Sequence, residues 1–346
     1  GLTGTGFSTF KNIKYLDPTL ILWRSSSQWI GGLYFLYFLI IIFSNKTFNY
    51  KMINLSYSGD SNFSSENNIK GNLIKIFIIY SVISIIFLSL LSISGVRHYN
   101  SLNLSMTLIS GGGFLPTNSL NKIITTNFQK IILTFSLIIS MLNFYLLFNI
   151  FNKKVLTREH KEDLYILGAA VIFILLIYLN SYQGLDIIIS IVSSLANSGL
   201  NLIQSDNNLS LYFLFITIIG GSLISNTSGI KLIRLYILLK MTSAEIFKLI
   251  SPNSVINKTI YNSERKITDS YIKISFLIFI SFFLSLFILS SLLIIDNIGF
   301  EKSFKLSILT LTNTVNSELF NLENLNFANL LTSSKISLIL FMIIGK

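Results

Sequence analysis

Three stretches decide the reading of this chain: YNSLNLSMTLISGGGF at residues 99–114, LDIIISIVSSLANSGLN at 185–201 and FKLSILTLTNTVNSELF at 304–320. Each has the length and partial apolarity of a short helix, and each ends in a small residue, then Gly or Glu, then Leu or Phe. The opening residues, GLTGTGFST, read as the tail of a fourth copy. Aligning Gly1, Gly113, Gly199 and Glu318 gives a quasi-repeat of about a hundred residues, long enough for a span, a short helix, a turn and a second span.

Working outward, the 346 residues are 51% apolar and 12% charged, about half the charged share of a soluble domain. The apolar residues gather into runs at 20–43, 73–95, 131–151, 164–179, 209–224 and 271–295, with another from 336. Most approach the ~20 residues a helix needs to cross a bilayer. In lipid every backbone donor must be satisfied within the segment, which makes a helix the available solution, and the alternation of a membrane barrel is absent. The expected class is therefore an all-α integral membrane protein.

Polar connections at 44–72, 152–163 and 225–273 hold more than half of the 26 Lys and Arg residues. They alternate with connections poorer in basic residues at 1–19, 96–130, 180–208 and 296–335, so the basic set is placed in the cytoplasm. The net charge of +11 reads as topology and attraction to anionic headgroups. Nucleic-acid binding is not supported, because no basic stripe is interleaved with exposed aromatics. The absence of cysteine excludes disulfides and thiolate metal sites, and neither His98 nor His160 has a partner at metal-ligand spacing. No paired carboxylates or nucleophile with a base suggest an enzyme. Trp23 and Trp29 are expected at the interface, and Arg24 and Lys75 are expected to snorkel. The Asn- and Ser-rich segment 44–72 reads as a linker or docking surface. The missing initiator methionine and the final run LILFMIIGK suggest a fragment at both ends.

A helix too short to cross, followed by glycine-rich backbone, is tolerated at membrane depth only where protein or a water path surrounds it. Four such elements around one axis make a pore. Glycine lets successive carbonyls point at a cation in place of its water, and the short helix aims its negative end at the same point. Glycine-mediated helix packing is the plainer alternative.

The motifs GLTGTGFST, LDPTLILWRSSSQWIGG, SGGGFLPTNS, LNFYLLF and GGSLISNTSGIKLIRLYILLK followed by SPNSV resemble those of the Trk/Ktr/HKT superfamily of potassium transporters. The resemblance is closest to the TrkH-type pore-forming subunit and covers essentially the whole chain. It implies four pseudo-repeats of outer helix, re-entrant pore helix, filter and inner helix around one pore, here divided as 1–72, 73–162, 163–266 and 267–346. The first repeat would lack its start and the last would be truncated. By position it implies an ion filter at Gly1, Leu2 and Thr3, at Gly112, Gly113 and Phe114, at Ser198, Gly199 and Leu200, and at Ser317 and Glu318. Glu318 departs from the pattern, since a β-carbon in left-handed backbone costs about 1 to 2 kcal/mol and a carboxylate adds negative charge.

The resemblance also implies a gating loop from Gly220 to Gly229, carrying Gly220, Gly221, Ser225, Asn226, Thr227, Ser228 and Gly229. Lys231 follows it, and Lys346 matches a family arginine facing the pathway near the loop. The implied function is potassium uptake across the cytoplasmic (inner) membrane through a gated, channel-like pore. Alternatives are a secondary transporter with broken helices or a less selective Na/K pathway. Implied partners are the bilayer, a second copy of the chain and a cytoplasmic nucleotide-binding RCK subunit. No cofactor is expected on this chain, and no metal beyond the transported potassium.

Overall fold

The computed structural model describes residues 1–10, 12–44, 69–151, 161–179, 184–203, 207–251, 259–260, 267–315, 318–322 and 327–346. Most of the 44–72 segment, His160, Ser317 and residues 252–255 of the SPNSV motif lie outside the described residues. The helices are α1 (Pro18–Ser44), α2 (Ile69–Ile93), α3 (His98–Ser110), α4 (Asn127–Met141), α5 (Phe144–Phe151), α6 (Lys161–Tyr178), α7 (Leu185–Leu195), α8 (Asn207–Ile219), α9 (Leu232–Ile250), α10 (Asp269–Ile295), α11 (Phe300–Leu311) and α12 (Thr332–Ile344). The all-helical fold expected from the sequence is thus observed.

Two of the described segments, Leu73–Ile93 and Asp269–Ile295, are long and apolar enough to cross a bilayer. On α10, Leu286, Leu289 and Leu293 are buried while Phe276, Leu277, Leu284, Phe287 and Ile288 are exposed. A helix apolar on both its buried and its exposed sides is solvated by hydrocarbon rather than water.

The short helices α3, α7 and α11 lie inside this shell. Helix α3 packs on α1 and α2, α7 on α4 and α8, and α11 on α10 and α12. Many of their buried hydroxyls bond back to their own helix: Ser105 Oγ to the Leu102 carbonyl at 2.9 Å, Ser194 Oγ to the Ser190 carbonyl at 2.8 Å and Ser307 Oγ to the Ser303 carbonyl at 2.7 Å. This local satisfaction lets Ser and Thr sit in an interior helix.

Two of the expected spans are interrupted. The run 131–151, expected to be continuous, breaks between α4 and α5, where Leu142 is extended at φ −75° and ψ 162°. Asn143 is the local cause: its Oδ1 accepts the Tyr145 N–H at 2.9 Å, as an N-cap does for a new helix. The second interruption, 220–231, separates α8 from α9. Gly220 there has φ +68°, and a β-carbon on it would fall 2.2 Å from the Ser228 carbonyl oxygen. Only glycine fits that turn. The loop returns to its origin, with Ile230 N–H bonded to Ile218 O and Lys231 N–H to Ile219 O, each at 3.0 Å.

Trp29 and Arg24 correct two expectations. Trp29 is part of the packing: its Nε1 donates to Ser84 Oγ at 2.8 Å, and its ring meets Tyr80 with centroids 5.2 Å apart. Arg24 is buried, with its guanidinium 4.2 Å from the centre of the Phe114 ring and 5.5 Å from that of Phe10. It faces inward because two aromatic faces accept its charge, whereas Lys75 and Trp23 are exposed as expected.

Candidate functional site

The C-termini of α3, α7 and α11 share one backbone pattern. A residue with positive φ follows each helix: Gly111 at +68°, Asn197 at +55° and Asn313 at +50°. The next N–H reaches back five residues, Gly112 to Thr107 O at 2.9 Å, Ser198 to Ser193 O at 3.0 Å and Thr314 to Leu309 O at 2.9 Å. This is the Schellman ending, which demands a left-handed residue and therefore Gly or Asn. Gly4, at φ +76°, supplies the same conformation in the opening segment.

That conformation sets the alignment of the four segments. Two residues beyond the left-handed position stand Gly6, Gly113, Gly199 and Val315. They meet in space. Val315 Cγ2 lies 2.2 Å from where a β-carbon on Gly6 would sit, its Cβ 2.5 Å from that on Gly113, and its Cγ1 2.4 Å from that on Gly199. A side chain packed against glycines of three other segments occupies the middle of their junction. The same four residues line the floor of a cavity of about 460 Å³ that also includes Arg24, Phe114, Asn118 and Asn201.

On the opposite side of the junction, the left-handed residues face the 220–231 loop. A β-carbon on Gly111 would be 3.3 Å from the Asn226 carbonyl oxygen. Asn226 Nδ2 donates to Ile109 O at 2.8 Å, and Asn313 Nδ2 to Ser228 Oγ at 3.2 Å. The segments are also tied to each other: Thr5 Oγ1 donates to Asn313 Oδ1 at 2.5 Å, and Asn197 Nδ2 to Thr314 Oγ1 at 3.4 Å. Gln28 on α1 accepts the Phe114 N–H at 3.3 Å and donates to Thr5 O at 3.4 Å.

Two lysines hold the loop. Lys231 is buried and donates to the Thr227 carbonyl and, at 2.7 Å, to Thr227 Oγ1. Lys346 Nζ donates to Asn226 O at 2.7 Å, stands 4.8 Å from the centre of the Phe35 ring and would lie 3.3 Å from a β-carbon on Gly4. An ammonium group thus sits between the loop and the opening segment. Below it, Ser228, Lys231, Arg234 and Lys346 line a second cavity of about 270 Å³.

Of the residues singled out from sequence, Gly112, Gly113, Phe114, Ser198, Gly199 and Leu200 surround the junction, and Gly220, Gly221, Ser225, Asn226, Thr227, Ser228, Gly229, Lys231 and Lys346 form the loop and its anchors. Gly1 and Glu318 are not brought to the level of Gly113 and Gly199. A β-carbon on Gly1 would meet Ser27 of α1, Leu2 is exposed, and Thr3 reaches the site only through Thr5, hydroxyl to hydroxyl at 2.9 Å. Glu318 starts a 3₁₀ turn, Glu318–Phe320, three residues past Val315. The physical reason is the left-handed cap, which counts the register from the helix end rather than from the next Leu or Phe.

Sequence reasoning missed Gly6, Val315, Gln28 and the acidic pair Glu162 and Asp163. The pair lies in a charged stretch that reads as solvated, yet both side chains are buried. Glu162 Oε1 accepts the Leu223 N–H and Asp163 Oδ1 the Asn143 N–H, each at 2.8 Å.

No protein-family model matches the chain. It is 28% identical over 262 residues to an uncharacterized cation transporter of Methanocaldococcus jannaschii, covering 73% of this chain and 53% of that protein. It is 22% identical over 281 residues to the Trk system potassium uptake protein TrkH of Halomonas elongata, covering 74% of this chain and 56% of the relative. The chain spans about half the length of the curated relatives it matches. The crystal structure of the potassium transporter TrkH from Vibrio parahaemolyticus matches with a TM-score of 0.85 at 20% identity, over 99% of this chain and 73% of that one. The fold of the chain is thus that of the solved TrkH structure.

Proposed function

We propose that this chain forms the permeation pathway of a cation uptake protein of the cytoplasmic membrane, with potassium as its substrate and residues 220–231 as its gate. One observation carries the reading. Four chain segments, each with a left-handed residue at the same position, meet at a junction that separates a 460 Å³ cavity from a loop and a 270 Å³ cavity behind it. Three short helices end at that junction, and helix C-termini favour cations. The division into repeats at 1–72, 73–162, 163–266 and 267–346, a dimeric assembly and a cytoplasmic nucleotide-binding RCK subunit belong to the same proposal. They rest on the likeness to TrkH-type proteins.

A less selective Na/K pathway is the second reading, and Val315 favours it. Where the other three segments offer glycine, an isopropyl group changes the diameter and removes the equivalence of the four sides. The test is ⁸⁶Rb uptake into proteoliposomes holding the protein, against protein-free vesicles, with sodium as competitor. Uptake that potassium but not sodium suppresses supports the first reading, and equal suppression supports the second. No uptake over a range of potassium gradients, in a variant lacking Ser222 to Ser228 as well as in the unaltered protein, would sink both.

A further inference from the structure

The two interruptions of the inner helices lie side by side. Ser222 N–H donates to Met141 O at 3.1 Å and Phe144 N–H to Ile224 O at 2.7 Å, so 141–144 and 222–224 are joined by two backbone bonds. The remaining donors at the crossing, on Asn143 and Leu223, were freed when their helices broke and cannot stay unpaired in an apolar interior. Both are taken by one turn of α6: Asp163 accepts the first and Glu162 the second. The acceptors are consecutive residues in the first turn of their helix, where the dipole stabilises negative charge.

We infer that Glu162 and Asp163 are a carboxylate latch, a pair of positioning residues through which α6 holds the loop 220–231 and the α4–α5 break in their closed arrangement together. The inference rests on the reading of the loop as the gate and adds a regulatory element to it. A rigid shift of α6 withdraws both acceptors at once. The loop then loses its Glu162 anchor and the break its Asp163 anchor in the same step, while the two backbone bonds between them remain. Neither carboxylate is among the residues that line the 460 Å³ cavity over the junction, and their partners Leu223 and Asn143 lie in the interruptions, which assigns them to opening and not to ion selection.

The test uses ⁸⁶Rb leak from proteoliposomes holding the complete protein, with hydrogen exchange of the 141–145 and 220–231 amides as a second readout. Hydrogen bonds to charged groups contribute about 1.5 to 3 kcal/mol, and a factor of ten in an equilibrium corresponds to about 1.4 kcal/mol. Glu162→Ala and Asp163→Ala should each raise leak about tenfold or more and speed exchange at both interruptions, including the one the altered residue does not touch. Glu162→Gln and Asp163→Asn keep an acceptor oxygen and should restore slow leak and slow exchange, which a role in overall folding would not predict. The Ser222 to Ser228 deletion separates the two ideas. If the deletion raises leak and both alanine variants behave as the unaltered protein, the latch is wrong and the gate stands. If the deletion leaves leak unchanged, the gate fails and the latch falls with it. Faster exchange only at the residue's own contact overturns the coupling.

Discussion

Replacing Gly6 by alanine tests the register of the four segments most directly. The new β-carbon would sit 2.2 Å from Val315 Cγ2 and 2.5 Å from Val315 Cβ, where carbon atoms prefer about 3.5 to 4.0 Å. Gly6 does not have positive φ, so the cost is steric, in the range of about 1 to 3 kcal/mol for overpacking. Val315→Gly removes both offending atoms. The next neighbour is the carbonyl carbon of Gly113 at 3.2 Å, a shortfall of only a few tenths of an ångström. Most of the cost should therefore vanish in the double variant, a coupling of about 1 to 2 kcal/mol measurable as a double-mutant cycle by equilibrium unfolding in mixed micelles. The same geometry predicts a change in flux. On the proposed pathway an ion crossing the junction must displace the isopropyl group, and if that displacement costs the same ~1 to 3 kcal/mol, Val315→Gly accelerates permeation roughly 5- to 150-fold. The measurement belongs in the Ser222 to Ser228 deletion, where the loop no longer limits the rate. Glu318→Gly, three residues along, should leave the rubidium-to-sodium ratio unchanged. Additive costs for Gly6→Ala and Val315→Gly, together with a selectivity change in Glu318→Gly alone, would refute the register.

Gly220→Ala should destabilise the folded protein by more than the ~1 to 2 kcal/mol of left-handed strain, because its β-carbon also meets the Ser228 carbonyl; equilibrium unfolding measures it. Arg24→Lys loses the planar contact with Phe10 and Phe114, and a point charge does not replace a stacked guanidinium; the exchange rate of the Phe114 amide should rise while the 220–231 amides are unaffected. Hydrogen bonds from the Ser334 and Ser333 hydroxyls hold the Asp296 carboxyl below the ordinary carboxylate range. A depressed folded value means stabilisation that is present above the unfolded carboxylate's pKa and lost as pH falls through the folded one. Unfolding midpoints should drop in that acid window, and Ser334→Ala should flatten the drop by lowering stability near neutrality while leaving it unchanged below the folded pKa.

The helical class was legible because composition and run length leave few solutions in lipid, and the short buried helices were legible because Ser-, Thr- and Gly-rich tails follow runs too short to span. The register of those tails was not read correctly at two of four places. The signal was present: SGGGF, ANSGL and TNTVN each place Gly or Asn two residues before the junction position, and a helix cap explains why those residue types occur there. Matching on the following Leu or Phe instead moved the fourth segment to Glu318. Asn143 was likewise a visible N-cap inside an apolar run, and it marks the break that run length concealed.

Sequence alone determined what each segment must do in isolation. Apolar runs must form helices, glycine and asparagine must end the short ones, and Gly220 must turn, because these follow from backbone sterics and from the cost of an unpaired donor in hydrocarbon. Only the tertiary structure decided which segments share a level and which charges are inside. Glu162 and Asp163 lie in a stretch as charged as any solvated connection, and nothing local distinguishes them. They are buried because helix interruptions far apart in sequence leave two N–H groups within reach of one helix turn. Val315 is likewise an ordinary residue until three glycines from other segments close around it.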